Sequence, residues 1–351
     1  MANSISEPPV ILLVLLIIAG DLAIPYTGMI SEIIKTIKNW GERMEIPEKL
    51  SSELKNVSGL KIRRNEPLAS HTTMEVGGPA DLFLQPMKSQ AMTAVIDKLN
   101  SYQFPYFLLG GGSNVIAADR GIRGAVISTR KLQQIKIQGE LATVEAGVLL
   151  SDFCQELAEA GLSGLEFASG IPGTLGGAIY MNAGAYGGEI KDCLQSAEVL
   201  TAEGWSQTLT AEELELEYRS SLLQQQNLIA LSASFKLRKR PSSEIKAEIQ
   251  GLKARRWASQ PMDQPSAGST FKRPPGHYAG SLIEESGLKG YRIGGAMVSS
   301  KHAGFIVNTG GATARDIIEL MLEIKEKVYQ KFGVRLKPEP RLIGEFDKLP
   351  Y

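Results

Sequence analysis

Ser169-Gly170-Ile171-Pro172-Gly173-Thr174-Leu175-Gly176-Gly177-Ala178, running on through Ile179-Tyr180-Met181 into Asn182-Ala183-Gly184-Ala185-Tyr186-Gly187-Gly188-Glu189, is the stretch on which the reading of this chain turns. The slightly wider window 163–189 holds eight glycines and little charge. A solvent loop would be more polar, and a packing helix would carry bulkier apolar side chains. The order of small residues predicts a turn leading into a short helix, then a second turn beginning at Asn182. Backbone without side chains can approach a ligand closely, which suits a flat ring system or an extended diphosphate.

Upstream stands a second glycine segment. Tyr106-Phe107-Leu108-Leu109 reads as a buried strand running directly into Gly110-Gly111-Gly112-Ser113-Asn114. Successive backbone N–H groups in such a turn can form an anion-binding nest. The segment is neither the dinucleotide fingerprint G-x-G-x-x-G nor a P-loop, which would need Gly-Lys-Ser/Thr. Alone, it is equally a glycine-rich turn with no ligand. Two such loops set between strands and helices favour a site.

The surrounding pattern supplies those elements. Asp81 to Pro86 reads as a strand, Ser89 to Ser101 as a helix with Ala91, Val95 and Leu99 on one face, and Gly124 to Ser128 as a strand. Thr143 to Val148 predicts a strand and Ser151 to Ala160 an amphipathic helix stopped by Gly161. Strands return at Ala197 to Thr201 and Leu228 to Leu237 before Arg238-Lys239-Arg240-Pro241 breaks the pattern with charge and proline, which reads as a domain boundary. Beyond it come a helix from Glu244 to Ala258, a loop carrying Ser269 and a strand from Gly304 to Asn308. A long helix then opens with a Thr313-x-x-Asp316 capping box and aligns Ile317, Met321, Ile324 and Val328, and a strand-like run spans Val334 to Gly344.

Composition narrows the class. With 351 residues, 43% of them hydrophobic, the chain can bury more than one core, and two or three domains are expected. The 38 basic and 38 acidic side chains cancel, leaving no field to attract a nucleic acid backbone. The two cysteines, Cys154 and Cys193, and the three histidines, His71, His277 and His302, have no metal-ligand spacing. The expectation is no metal, no disulfide and a reducing, cytoplasmic setting. Residues 10–19, VILLVLLIIA, are about half of what a spanning helix needs and lack the basic flank of a secretory signal. With Ile30, Ile33, Ile34 and Ile37 at helical spacing, they read either as a membrane-touching segment or as an upstream extension of a chain whose functional start is nearer Met29 or Met44.

The ordered motifs carry a resemblance. GGGSN at 110–114, then SGIPGTLGGAIYMNAGAYGGE at 169–189, then Tyr218-Arg219-Ser220-Ser221, Ser266-Ala267-Gly268-Ser269-Thr270-Phe271-Lys272 and Lys337-Pro338-Glu339-Pro340-Arg341 resemble, in order, the UDP-N-acetylenolpyruvoylglucosamine reductases. The resemblance spans about residues 60 to 346. It implies an α+β architecture: a two-subdomain FAD-binding fold like that of vanillyl-alcohol oxidases, over 61–240, then a smaller α+β substrate-binding domain over 241–346. Residues 1–60 would be an N-terminal extension and 347–351 a tail.

For function the resemblance implies non-covalent FAD, NADPH as co-substrate and a UDP-sugar substrate, acted on by a monomer in the cytoplasm. It makes Ser269 the proton donor, with Arg219 and Glu339 beside the enolpyruvyl group, and Lys272 and Tyr218 substrate contacts. Cofactor contacts fall on Gly110, Gly111, Gly112, Ser113, Asn114, Ser169, Gly170, Ile171, Pro172, Gly173, Gly176, Gly177, Ala178, Asn182, Gly184 and Ala185. His302, in VSSKHAGFIVN, matches another family stretch as either support or core. Only 50 positions separate Arg219 from Ser269, which resembles the subtype without an inserted clamp-tyrosine loop. Two other readings stay open: an oxidase on the same FAD scaffold, although such oxidases often tether FAD through a histidine absent from both glycine segments, and a non-catalytic nucleotide-sugar module, which would not need Arg219, Ser269 and Glu339 together.

Overall fold

The computed structural model describes residues 44–346, and the apolar run at 10–19 and the tail at 347–351 lie outside them. Chain contacts gather the described residues from Ile46 to Phe346 into one unit, built on three larger sheets. The first sheet takes its strands from Leu60–Pro67, Pro79–Pro86, Ile122–Ser128 and Tyr106–Leu109, in that spatial order. Its outer pair is antiparallel and the other two pairings are parallel. The predicted helix over Ser89–Ser101 forms, burying Ala91, Met92, Val95, Ile96 and Leu99. It is the crossover that a parallel pairing requires. Nearly every residue in Pro79–Pro86 is buried, the polar Asp81 and Gln85 included, as befits a strand covered on both faces.

The second sheet is wholly antiparallel, ordered Ser206–Thr210, Leu194–Leu200, Ile229–Lys236, Leu141–Glu145 and Ile135–Gln138. The helix Leu150–Glu159 buries Leu150, Phe153, Cys154, Leu157 and Ala158 in its core. The helix after Arg240 spans Ser242–Ser259. Sequence placed it with the C-terminal domain, yet its buried Ile245 and Ile249 belong to this second core. Only two of its residues are buried, so the periodicity could not say which core it serves.

A third, antiparallel sheet, ordered Ser266–Ser269, Phe305–Asn308, Ala296–Val298 and Arg292–Ile293, shares a core with the long helix Ala314–Phe332. Thr313 and Asp316 close the capping box at that helix start. Asp119, from the turn before the Ile122–Ser128 strand, also accepts the N–H groups of Ala314 and Arg315 at 2.7 and 3.0 Å, tying the first and third layers together. The strand-like run after Val334 is shorter than expected. Only Arg341–Ile343 is a strand, parallel to Val115–Ala117, because Pro338 and Pro340 cannot donate to a ladder. Among the described residues no helix is long and apolar enough to cross a membrane.

Candidate active site

The two glycine loops interlock. Ser113 Oγ donates to the carbonyl of Pro172 at 2.9 Å. A Cβ on Gly111 would stand 2.8 Å from Gly173 Cα, and one on Gly112 would stand 2.0 Å from the His71 carbonyl oxygen, at a φ of +66°. These glycines are therefore demanded by backbone meeting backbone, and they bring Gly110 to Asn114 against Ser169 to Gly173. Asn114 ties this cradle to the chain's end: its carbonyl accepts from Arg341 N–H at 2.9 Å, and its Nδ2 donates to the Glu339 carbonyl at 3.4 Å.

Beside the loops stand buried polar atoms that protein groups leave unsatisfied. The hydroxyls of Ser169 and Thr174 are buried without a hydrogen-bond partner, as is Arg256 Nε. Thr174 Oγ1 lies 2.6 Å from where a Gly110 Cβ would stand and 3.7 Å from that of Gly177. Unpaired buried polar atoms are costly, so their grouping beside side-chain-free backbone fits a polar ligand such as a dinucleotide diphosphate. The residues present thus fit FAD.

Arg256 was not foreseen from sequence. Its stem lies 3.1 Å from a Cβ position on Gly170, and burial lowers its pKa, with Tyr186 opposing only in part. Of the adjacent Arg255 and Arg256 in the helix ending at Ser259, the fold turns Arg256 toward the loop.

Other expected cofactor residues play supporting parts. The Asn182 side chain is fully buried and committed: Nδ2 donates to Glu189 Oε2 and to the Glu217 carbonyl, both at 3.1 Å, and Oδ1 accepts from Lys191 N–H at 3.1 Å. It braces two turns, with both amide hydrogens and its oxygen engaged by protein groups. Ala178 points its methyl into the second core, where Ile171 also packs. The short helix Leu175–Tyr180 forms as predicted, but the N–H groups of Leu175 and Gly176 are taken by the carbonyls of Val148 and Ala146, and Gly176 lies against Ala146. Gly184 and Ala185 pair with Gly188 and Glu189 in a small hairpin.

The acid–base candidates meet beside this cradle. Arg219 Nε donates to Glu339 Oε1 at 2.7 Å, joining positions 120 residues apart. Both side chains are largely buried, 19% and 12% exposed. Burial raises the Glu339 pKa, and Arg219 and then Lys272 oppose that rise without cancelling it. Glu339 N–H donates to the Thr270 carbonyl at 3.1 Å and Lys272 N–H to the Lys337 carbonyl at 2.8 Å, so the Ser269 to Lys272 segment runs alongside Lys337 to Glu339. Ser269 itself is exposed, at the end of its strand. Tyr218 is half-exposed, its ring 5.0 Å from the Arg219 guanidinium carbon, and its hydroxyl accepts from Arg273 N–H at 3.3 Å.

The structure also separates packing from chemistry. Thr270, passed over in the sequence, is buried and its hydroxyl accepts from Ile306 N–H at 3.0 Å, while its own N–H donates to the Gly304 carbonyl at 2.9 Å. His302 Nδ1 accepts from Gly304 N–H at 3.1 Å, its ring lies edge-on to Phe305, and burial lowers its pKa, so it is a neutral packing residue of that loop.

Known proteins match this arrangement in both halves. The profile for the UDP-N-acetylenolpyruvoylglucosamine reductase C-terminal domain matches residues 260–343, and one for an FAD binding domain matches residues 80–210. A UDP-N-acetylenolpyruvoylglucosamine reductase of Lachnoclostridium phytofermentans is 50% identical over 300 residues, covering 84% of this chain and 96% of that protein. This chain belongs to that family. The reductase of Alkaliphilus oremlandii is 48% identical, covering 80% of this chain and 93% of that protein. The crystal structure of the reductase from Thermus caldophilus superposes with a TM-score of 0.70 at 37% identity, covering 81% of this chain and 99% of that one. The chain is therefore an FAD-dependent oxidoreductase whose FAD-binding and C-terminal reductase regions meet at Arg219, Glu339 and the Ser269 loop.

Proposed function

We propose that the chain reduces the enolpyruvyl group of UDP-N-acetylenolpyruvoylglucosamine to give UDP-N-acetylmuramate, a step of peptidoglycan precursor synthesis, with NADPH as the electron source. The observation that carries this reading is the Arg219–Glu339 contact beside the Ser269 segment, two features that a nucleotide-sugar binder has no need to bury together. FAD, when bound, would take a hydride from NADPH and deliver it to the terminal carbon of the enolpyruvyl double bond. The Gly110 to Asn114 and Ser169 to Gly173 loops, with the Thr174 hydroxyl and the Arg256 cation, would hold it.

This chain's own residues account for the rest. Hydride addition leaves negative charge on the neighbouring carbon and carboxylate of the substrate. Arg219 is placed to stabilise that charge, and a guanidinium can grip a carboxylate with two hydrogen bonds. The substrate carboxylate would then replace Glu339 as the partner of Arg219. Released from that cation, Glu339 would hold its proton more firmly and donate a hydrogen bond to the enol oxygen. An enolate is basic enough to take a proton from a neutral hydroxyl, so Ser269 needs no lowered pKa to protonate the carbon. Lys272 and Tyr218 border the same opening and suit the substrate's anionic groups.

The two cysteines are free thiols, which suits a cytoplasmic enzyme, and we take the working form to be a monomer of the subtype without a clamp-tyrosine insert. Purified, flavin-loaded protein mixed with NADPH and the enolpyruvyl UDP-sugar tests the reading. Beyond the single NADPH that bleaches each flavin, sustained oxidation of NADPH is expected only with that substrate present, and equal sustained oxidation without it would favour an oxidase.

A further inference from the structure

Arg219 sits at the tip of a tight turn closed by mutual hydrogen bonds between Glu217 and Ser220, each 3.1 Å, and its backbone is left-handed with φ of +55°. An L-residue keeps that conformation only where its surroundings over-determine it. The main fixture is Gln224, on the short helix Leu222–Gln225. Its Nε2 donates to the Arg219 carbonyl at 3.2 Å and also to the Tyr180 carbonyl. Those two bonds use both hydrogens of the amide nitrogen. Ser221 Oγ donates to the same Tyr180 carbonyl at 2.8 Å, and Asn182 Nδ2 grips the Glu217 carbonyl.

Tyr180 is the last residue of the helix between the two flavin-loop turns, and its hydroxyl meets Arg341, two positions beyond Glu339. The turn carrying Arg219 is thus hung from the cofactor cradle by the side chains of Gln224, Ser221 and Asn182, and the segment carrying Glu339 reaches Tyr180 from the other side.

We propose that Gln224 is a positioning residue for Arg219: it fixes the left-handed turn so that the guanidinium faces Glu339 and the substrate carboxylate, and it makes that aim depend on the flavin-loop helix. The proposal rests on the functional reading above. Gln224 Nε2 is engaged by the main-chain carbonyls of Tyr180 and Arg219, so it would act through the backbone of Arg219.

The test is a double-mutant cycle. Gln224→Met keeps the side-chain length and removes both donors, and Gln224→Asn keeps the amide but cannot span the gap, which covers the case in which one of them folds poorly. In the flavin-loaded enzyme each is expected to lower kcat by about 10- to 100-fold, with KM for the enolpyruvyl UDP-sugar rising less and the rate of flavin bleaching by NADPH unchanged. In an Arg219→Ala background, Gln224→Met should change turnover by less than about 2-fold, because the group it aims is gone. A merely structural glutamine would give the same further loss in both backgrounds, and that result overturns the proposal, as does wild-type turnover in both single variants. Wild-type turnover in Arg219→Ala alone would instead overturn the functional reading and the proposal with it.

Discussion

Thr270→Val should weaken this enzyme through one hydrogen bond. The pairing of Ser266–Ser269 with Phe305–Asn308 is irregular between Ser266 and Ser269, and the Thr270 hydroxyl takes the Ile306 N–H at 3.0 Å beyond the last paired residue. Valine has the same shape and no acceptor. It leaves a donor unpaired at a site where both residues are buried, Thr270 at 4% and Ile306 at 1% exposure. Such an orphan costs about 1–3 kcal/mol. With an unfolding entropy of about 2 cal/mol/K per residue over a unit of this size, the thermal midpoint should fall by about 2–5 °C.

Kinetics should register the change more strongly than stability does. Thr270 is bonded through its N–H to Gly304 and through its carbonyl to Glu339, so loosening it moves Ser269 and Glu339 relative to each other. A displacement well under 1 Å between reacting groups is expected to lower kcat about 10-fold, with KM nearly unchanged. Thermal melts of flavin-loaded protein and steady-state turnover check both figures, and Thr270→Ser, which keeps the hydroxyl, should restore both. Thr270→Val with the wild-type midpoint and turnover would refute the reasoning, because Ile306 N–H would then have found another acceptor.

Three further outcomes follow from the same geometry. Burial raises the Glu339 pKa, so the folded state holds that proton more tightly than the unfolded one; stability from this group is full at low pH and is lost as pH rises through the raised pKa. Turnover should fall over that same rise, and Glu339→Gln should lower the rate while flattening this limb in both pH profiles; an unchanged limb in the variant would assign it elsewhere. Gly112→Ala meets the His71 carbonyl at a positive φ, so it should cost more than about 1 kcal/mol and yield protein largely free of flavin absorbance, whereas a wild-type flavin ratio would show the cradle to be less tight than drawn. Burial pushes both thiols, Cys154 and Cys193, up to about 12, so iodoacetamide at pH 8 should label neither until the protein is unfolded, and mass spectrometry of the native protein reads this directly.

Legibility from sequence varied with how local each cause is. Ser89–Ser101 and the start of Ala314–Phe332 were readable because the periodic apolar face and the Thr313–Asp316 box are written in neighbouring residues. The glycine loops were readable as a site, but the reason for Gly111 and Gly112 was not: each faces a backbone distant in sequence, at Gly173 and His71. The edge strand Ser206–Thr210 is mostly exposed, so little apolar alternation marks it, whereas Ile135–Gln138 alternates with Ile135 and Ile137 against the second core but spans only four residues. Arg219 and Glu339 came to notice through motif order, while the left-handed backbone of Arg219, the spent side chain of Asn182 and the inward turn of Arg256 depend on contacts that only the folded chain makes. The helix Ser242–Ser259 shows the same limit, since two buried isoleucines cannot name their core.

In the proposed mechanism Ser269 supplies the proton once the hydride has been transferred. Rapid mixing of Ser269→Ala with NADPH, then with the enolpyruvyl UDP-sugar, separates the two half-reactions. Flavin bleaching by NADPH is expected at the wild-type rate, with a collapse, by about 100-fold or more, in recovery of flavin colour and in product formation. Product formation by Ser269→Ala at the wild-type rate would remove Ser269 from that role.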